Sequence, residues 1–170
     1  HYHGTDQFMY TVTDNDGYVS NVATANIVVT PRNDIPLATY DTDNTTEGTP
    51  VTTTVAINDT DPHDALGNID PTTVTIAASP SNGTLSIDGV TGDITYTPTG
   101  DFNGTDSYVY QICDNGSPLP AACDTAIVFI TVDPVNDPPV ATNDSDFTTE
   151  ETPITTSVVG NDSDPIDPLG

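Results

Sequence analysis

The chain repeats itself, and this limits its fold more than any other feature of the sequence. The stretch GTDQFMYTVTDNDG, beginning at Gly4, matches GTDSYVYQICDNGS, beginning at Gly104, at an offset of 100 residues. A second match, at an offset of 103, joins NDIPLATYDTDNTTEGTPVTTTVAINDTDPHDALG (from Asn33) to NDPPVATNDSDFTTEETPITTSVVGNDSDPIDPLG (from Asn136). A fixed period of about 100 residues indicates a tandem array of domains.

The repeat divides the chain into three parts. Residues 1–34 are expected to end one copy, residues 35–136 to form a complete copy, and residues 137–170 to begin a third. The two end parts together lack the equivalent of residues 68–103. Because a few strands without a second sheet bury too little apolar surface, we expect the ends to be completed by further chain or by neighbouring chains.

The complete copy is expected to be all-β. Its apolar residues alternate over short runs that are separated by turn residues, and no helical stretch is visible. Asn82-Gly83 is expected to form a hairpin turn, and Gly89 and Gly92 to join the next two strands. Seven strands in this length predict a two-sheet sandwich. The predicted strands are residues 37–43 and 50–57 and the runs TTVTIAA, TLSI, DITYTP, SYVYQIC and TAIVFITV.

The same alternation predicts which residues face the core. On each strand these are every second residue. The predicted inward sets are Val51, Thr53, Val55 and Ile57; Val74, Ile76 and Ala78; Tyr108, Tyr110 and Ile112; and Ala126, Val128, Ile130 and Val132.

The charge of the chain excludes several classes of partner. The formal net charge is -25, and Arg32 is the only Lys or Arg. Nucleic acids and anionic membranes would be repelled, since both bind through Lys and Arg. No apolar window approaches the length of a membrane span. Cations are the partners that such a surface attracts.

The acidic residues of the complete copy lie at predicted strand ends and in the linkers between copies. Two carboxylates 5 Å apart repel by about 3 kcal/mol at an effective dielectric of 20. Ca²⁺ reverses this repulsion and takes six to eight oxygen ligands, whereas Zn²⁺ prefers His and Cys, and Mg²⁺ retains more water. The alternative is a solvated acidic surface, as in a salt-adapted protein.

Two cysteines, Cys113 and Cys123, end the sixth predicted strand and begin the seventh. A disulfide here would stabilise the fold by about 2–3 kcal/mol and would indicate an oxidising, extracellular setting. The first copy has Thr13 and Ser20 at these places, so both cysteines are absent together. Two free thiols in a cytosolic protein are the alternative.

The motifs NDTDP, NGTLSID, TGDITYTP, DFNGTDSYVYQICDNGSP and VFITVDPVNDPP together resemble the cadherin-like and Ig-like tandem repeats of large bacterial surface proteins, including VCBS-type repeats. The resemblance covers essentially the whole chain. Its Cys-containing loop looks most like versions from Bacteroidetes-type bacteria. The resemblance implies a seven-stranded Greek-key sandwich, repeated in tandem, in an adhesin, stalk or filament.

The resemblance to cadherins also implies calcium ligands at the junctions between copies. The linker motif DxNDN is echoed by DPVNDP, and the DxD motif by NDTDP and NDSDP. The first linker departs from the motif, because Thr30 stands where Asp is expected. The implied ligands are Asn33, Asp34, Glu47, Asp59, Asp61, Asp101, Asn103, Asp114, Asn136, Asp137, Glu150, Asp162 and Asp164.

The sequence bears on three classes of function. The first is a structural repeat of an extracellular stalk or filament, whose partners are neighbouring repeats in the same chain or in adjacent copies. The alternative is a carbohydrate- or protein-binding surface module, for which Tyr18, Tyr40 and Phe102 are the candidate exposed aromatics; a further cell-surface or glycan ligand could bind elsewhere in the protein. An enzyme is not expected, since the three His residues accompany no nucleophile motif.

Overall fold

The strands in the middle of the chain, whose apolar residues alternate with polar ones, form a two-sheet sandwich, as the sequence predicted. A computed structural model describes residues 2–62, 68–116 and 120–164. Its strands are β1 Gly4–Tyr10, β2 Ala23–Val29, β3 Asp41–Thr46, β4 Val51–Thr53, β5 Ile69–Ala78, β6 Gly83–Ile87, β7 Ile94–Pro98, β8 Gly104–Asp114 and β9 Cys123–Asp133. The described part of the chain contains no helix that is long and apolar enough to cross a bilayer.

The strands form three sheets. One sheet has the order β3-β9-β8-β5, a second has the order β4-β7-β6, and β1 and β2 form a separate hairpin. The pair β3–β9 is parallel, and every other pair is antiparallel. The first two sheets contain the seven strands of the complete copy, and the chain crosses between them to enclose the core.

The core follows the predicted alternation on the two longest strands. Tyr108, Tyr110 and Ile112 of β8 are almost fully buried, as are Val128, Ile130 and Val132 of β9. From the opposite sheet, Ile94 and Tyr96 pack against them. Because alternate residues of a strand point to opposite faces, the residues that lie between these on β8 and β9 face outward.

Two predicted strands have different bounds in the structure. The strand expected over residues 50–57 ends at Thr53, and a short 3-10 helix, Val55–Ile57, follows. The chain leaves the sheet there so that Val55 enters the core, and Ile57, predicted to face inward, is 80% exposed. The first strand runs over Asp41–Thr46 rather than residues 37–43, because these are the residues that pair with Val128 to Asp133 of β9.

The predicted turn at Asn82-Gly83 is wrong. This stretch carries the chain from β5 in one sheet to β6 in the other, and Gly83 does not have a positive φ. Gly83 is required for another reason, since a Cβ there would lie 2.2 Å from Cε2 of Tyr96. Gly92, with φ +77°, serves the hairpin between β6 and β7, as predicted. Ala78, predicted to face inward, is exposed beyond a register shift in β5.

The end segments reproduce local bonds of the complete copy. In β1–β2, Gly4 pairs with Val29, as Gly104 pairs with Val132 in β8–β9. In residues 137–164, the amide of Thr142 donates to Asp162 at 2.8 Å, as the amide of Thr39 donates to Asp59 at 2.7 Å. The aromatic residues of β1 are exposed, whereas their equivalents on β8 are buried. Equivalent residues therefore make the same local bonds in the end segments and in the complete copy.

Candidate functional site

The topology sorts the predicted ligands of the complete copy into two groups. β8 and β9 are antiparallel, so the end of β8 and the start of β9 lie together, as do the start of β8 and the end of β9. We call the first group the entry end (Asn33, Asp34, Asp59, Asp61 and Asp114). We call the second group the exit end (Glu47 and Asn103, beside Asp133 at the end of β9).

Asp114 organises the entry end. Its side chain is 1% exposed and accepts hydrogen bonds at Oδ1 from the amide of Gly116 (2.6 Å) and at both oxygens from the amide of Ala122 (3.2 Å each). Oδ2 also accepts a 2.8 Å hydrogen bond from Nδ2 of Asn33. The disulfide Cys113–Cys123 closes the same loop, which confirms the predicted pairing. The linker before the sandwich is therefore attached to the loop after β8.

Asn33 has one oxygen that the hydrogen-bond network does not use. Among the described residues, its buried Oδ1 has no hydrogen-bond partner. Asp34, the next residue, is half-buried. A buried carbonyl oxygen without a donor is unfavourable, and a cation would remove that penalty. Because the other side chains of the entry end are also oxygen donors, they fit a hard cation such as Ca²⁺.

Asp59 faces the sandwich interior. It accepts hydrogen bonds from the amide of Thr39 (2.7 Å) and from the hydroxyl of Tyr110, which lies 3.0 Å from each carboxylate oxygen. Burial raises the pKa of Asp59, although these donors oppose the shift. The pKa of Tyr110 is also raised, by burial and by the charges of Asp59 and Asp41. The oxygens of Asp59 are thus already bonded, so it is a less available ligand than the DxD motif implies.

Sequence reasoning did not select two carboxylates that pack at the entry end. Asp41 begins β3, and burial raises its pKa to about 6, with the charge of Asp59 adding to the shift. Asp124 is the second residue of β9 and accepts a 3.0 Å hydrogen bond from the amide of Ala38. The available signal was position, since both residues lie at strand starts beside the linker, but neither belongs to a cadherin-type motif.

At the exit end, the structure brings Glu47 and Asn103 together. Nδ2 of Asn103 donates to Oε1 of Glu47 at 2.6 Å, and the amide of Val135 lies 3.3 Å from Oε2. The amide of Glu47 donates to the carbonyl of Asp133 at 3.0 Å, which holds Glu47 at the end of β9. Asp101, predicted to accompany Asn103, is exposed and is not part of this contact. Glu47 and Asn103 thus hold the start of the second linker.

The remaining predicted ligands lie in the second linker and in the third segment. Asn136 is exposed and donates to the carbonyl of Asp137 at 2.9 Å. Asp162 keeps the bond to Thr142 but is exposed, as are Glu150 and Asp164. The structure does not bring these residues together. Within the three described ranges, no group of three or more His, Cys, Asp or Glu is placed to hold a metal ion.

Comparison with known proteins agrees with the architecture. Residues 33–131 match the family model described as bacterial Ig domain. A search of curated proteins found no significant match. Among solved structures, the chain is similar to protocadherin gamma B7 extracellular cadherin domains 1–4, with a TM-score of 0.55, 23% identity, and coverage of 91% of this chain and 39% of that chain.

A second similar structure is the protocadherin gammaB7 EC3-6 cis-dimer, with a TM-score of 0.50 and 19% identity. The match covers 84% of this chain and 36% of that chain. The chain therefore spans less than half the length of either structure. At these identities the likeness shows a shared fold, whereas the family match covers more than half of the chain. The chain belongs to the bacterial Ig domain family, and its sandwich has the fold of cadherin domains.

Proposed function

We propose that residues 35–136 are one structural repeat of a long extracellular stalk, adhesin or filament, and that Ca²⁺ stiffens the junctions between repeats. The observation that carries the proposal is the hydrogen bond from Asn33 to Asp114, which attaches a linker to the sandwich that follows it. The linkers adjoin acidic and amide side chains at both ends of the sandwich, with Arg32 as the only Lys or Arg of the chain. The role of the repeat is mechanical rather than catalytic.

At the first junction, Asn33, Asp34, Asp61 and Asp114 would hold the cation, with Asp59 as a weaker ligand. At the second junction, Glu47, Asn103, Asn136, Asp137, Asp162 and Asp164 would supply the oxygens, with Asp101 and Glu150 as outlying candidates. Bound Ca²⁺ would neutralise carboxylates that otherwise repel one another. The hydrogen bonds of Asp114 and Glu47 hold each linker near its sandwich before any cation binds.

The partners of the repeat are its neighbours in the array. The proposed division at residues 34 and 136 rests on the sequence offsets, and the recurrence of local bonds in the end segments supports it. An extracellular location is supported by the family and by the disulfide, because such bonds persist in oxidising compartments.

A calcium titration of the 170-residue chain tests the proposal. We expect Ca²⁺ to raise the melting temperature, to narrow the distribution of dimensions in X-ray scattering, and to protect the linkers from protease. The double variant Asp34→Asn/Asp61→Asn should lose most of this response. Asp88→Asn is the matched control, since Asp88 lies in the exposed β6–β7 turn and accepts bonds from the amides of Val90 and Thr91.

Two results would contradict the proposal. Melting temperature and scattering that are unchanged up to millimolar Ca²⁺ would exclude a structural ion. An equal response to Mg²⁺, or an equal response in the double variant, would indicate general screening of the acidic surface instead.

A further inference from the structure

The outer face of the four-stranded sheet carries two exposed aromatic rings. Tyr40, just before β3, is 63% exposed, and Phe129 of β9 is 48% exposed. Their ring centroids lie 6.5 Å apart, with an interplanar angle of 70°. The two rings therefore form one aromatic patch that spans neighbouring strands; we call it the Tyr40–Phe129 patch.

A depression lies beside this patch. Its volume is about 400 Å³, and it is lined by Ala38, Tyr40, Val109, Thr125, Ala126 and Ile127. This volume is within the range of small-molecule sites, roughly 300–1,000 Å³. The lining includes one aromatic residue, Tyr40, and residues of β8 and β9, so a ligand that stacks on Tyr40 would also contact the sheet.

The patch is not a requirement of the repeated fold. The positions equivalent to Tyr40 and Phe129 are Asn143 in the third segment and Asn26 in β2. The local hydrogen bond at Tyr40 is kept at Asn143, since Asn58 donates to the carbonyl of Tyr40 at 3.2 Å and Asn161 donates to the carbonyl of Asn143 at 3.3 Å. A side chain that served only the sandwich would be expected in each copy. The aromatic pair is thus specific to the complete copy.

The outward-facing side chains of β8 and β9 beside the patch are uncharged, although the chain has 26 acidic residues and Asp124 bonds the amide of Ala38 at the edge of the depression. The residues that face outward on β8 and β9 between positions 105 and 131 are hydroxyl, amide or apolar. They are Thr105, Ser107, Val109, Gln111, Thr125, Ile127, Phe129 and Thr131. Between these positions a cation meets no outward-facing carboxylate on β8 or β9, and an anion is repelled by the net charge of -25.

We propose that the Tyr40–Phe129 patch binds a neutral polysaccharide. The apolar faces of sugar rings stack on aromatic side chains, and the hydroxyls of Thr125, Thr131 and Ser107 can both donate and accept hydrogen bonds. A second protein fits less well. Two half-exposed rings present roughly 200–250 Å², whereas a stable protein interface buries about 800 Å² per partner. This inference does not depend on calcium at the junctions.

Affinity electrophoresis of the 170-residue chain tests the inference. The gels contain laminarin, hydroxyethylcellulose, xyloglucan or galactomannan as neutral probes and alginate as the anionic comparison. We expect retardation by at least one neutral probe and none by alginate. Tyr40→Asn/Phe129→Asn, which installs the residues that the equivalent positions already have, should weaken binding at least tenfold. Phe147→Asn is the control, because Phe147 is an aromatic residue of the third segment that is 90% exposed.

A measurement on the unsubstituted chain keeps the test independent of the variants. Titration with an oligosaccharide of the retarding polymer should shift the ring resonances of Tyr40 and Phe129 in NMR spectra. Lack of retardation by every neutral probe would overturn the inference, as would an unchanged affinity of the double variant. Dimerisation in sedimentation experiments that the double variant abolishes would assign the patch to a second copy, and would also overturn it.

Discussion

Asn33 and Asp114 are separated by 81 residues in sequence and are joined by a 2.8 Å hydrogen bond from Nδ2 to Oδ2. The bond connects the linker before the sandwich to the loop after β8. Asp114 also accepts the amides of Gly116 and Ala122, so this single buried carboxylate organises both segments. The position of this linker on the sandwich therefore depends on a residue at the end of β8, which the linker meets only in the folded chain.

Removal of Asp114 should destabilise the sandwich. Asp114→Ala leaves the amides of Gly116 and Ala122 without their acceptor, and a buried unsatisfied donor costs about 1–3 kcal/mol. Asn33→Ala should lower the free energy of unfolding by only about 1 kcal/mol but should increase protease cleavage near residue 33. Denaturant unfolding and limited proteolysis measure these effects. The control is Asn136→Ala, whose side chain bonds only the carbonyl of Asp137 among the described contacts; an equal loss there would contradict the assignment.

The free energy of unfolding should fall as the pH rises through the range in which the carboxyl of Asp41 loses its proton. Burial, together with the charge of Asp59, raises the pKa of Asp41 from 3.8 to about 6. Between these values the folded state binds the proton more tightly than the unfolded state. Ionisation of Asp41 therefore destabilises the folded protein, and this effect is absent below pH 4 and complete above about pH 6. In EDTA, Asp41→Asn should therefore stabilise the protein at pH 7 by about 1 kcal/mol, after allowance for solvent screening, and should have little effect at pH 4.

Asp144→Asn is the control for this pH dependence. Asp144 is the equivalent residue of the third segment, and it is exposed. Thermal unfolding at several pH values distinguishes the two variants. A stabilisation by Asp41→Asn that is the same at pH 4 and pH 7 would show that titration of this carboxyl is not the cause.

Gly83→Ala should destabilise the fold more than Gly89→Ala. A Cβ at Gly83 would lie 2.2 Å from Cε2 and 2.5 Å from Cζ of Tyr96, a ring that is fully buried. The ring must move against the core, and such overpacking typically costs 1–3 kcal/mol. A Cβ at Gly89 meets nothing within 4 Å, and its backbone does not have a positive φ, so it is a matched control. Denaturant midpoints of the two variants provide the comparison, and equal midpoints would mean that the ring adapts without loss.

Reduction of the Cys113–Cys123 disulfide should lower the stability of the sandwich. The two residues are separated by 10 positions. Closure of a loop this short contributes about 2–3 kcal/mol through the unfolded state. The double variant Cys113→Thr/Cys123→Ser carries the residues found in the first copy, and it should unfold at the denaturant concentration of the reduced protein. Added reductant should not shift its midpoint further, whereas a further shift would point to an effect of the reductant itself.

The sequence predicted the strands that bury one complete face and was less accurate where the chain leaves a sheet. Tyr108, Tyr110 and Val128 lie at alternate positions of long strands, so the two-residue period of a strand was enough to predict their burial. Ile57 has the same alternation but is exposed, because the chain turns into a 3-10 helix after Thr53. Asn82-Gly83 has hairpin chemistry but crosses between sheets, since the Tyr96 ring and the carboxylate of Asp106 hold it there.

For the candidate site, the sequence predicted where the acidic and amide residues lie in the fold better than it predicted how deeply each one is buried. It placed acidic and amide residues at the ends of the sandwich, and the structure joins Glu47 to Asn103 and Asn33 to Asp114. It did not distinguish exposed Asp101 from buried Asp59. The ligand set itself remains a prediction, which the calcium titration addresses.

The sequence by itself determined the repeat, the all-β character, the cysteine pair and the acidic charge, because each is a property of composition or of local period. Only the tertiary structure decided which carboxylates turn inward and which aromatic rings face solvent. Asp59 is buried because the hydroxyl of Tyr110 reaches it across 51 residues of sequence. Tyr40 and Phe129 form a patch because β3 and β9 are paired in parallel. Such contacts depend on strands that are distant in sequence, and no local pattern encodes them.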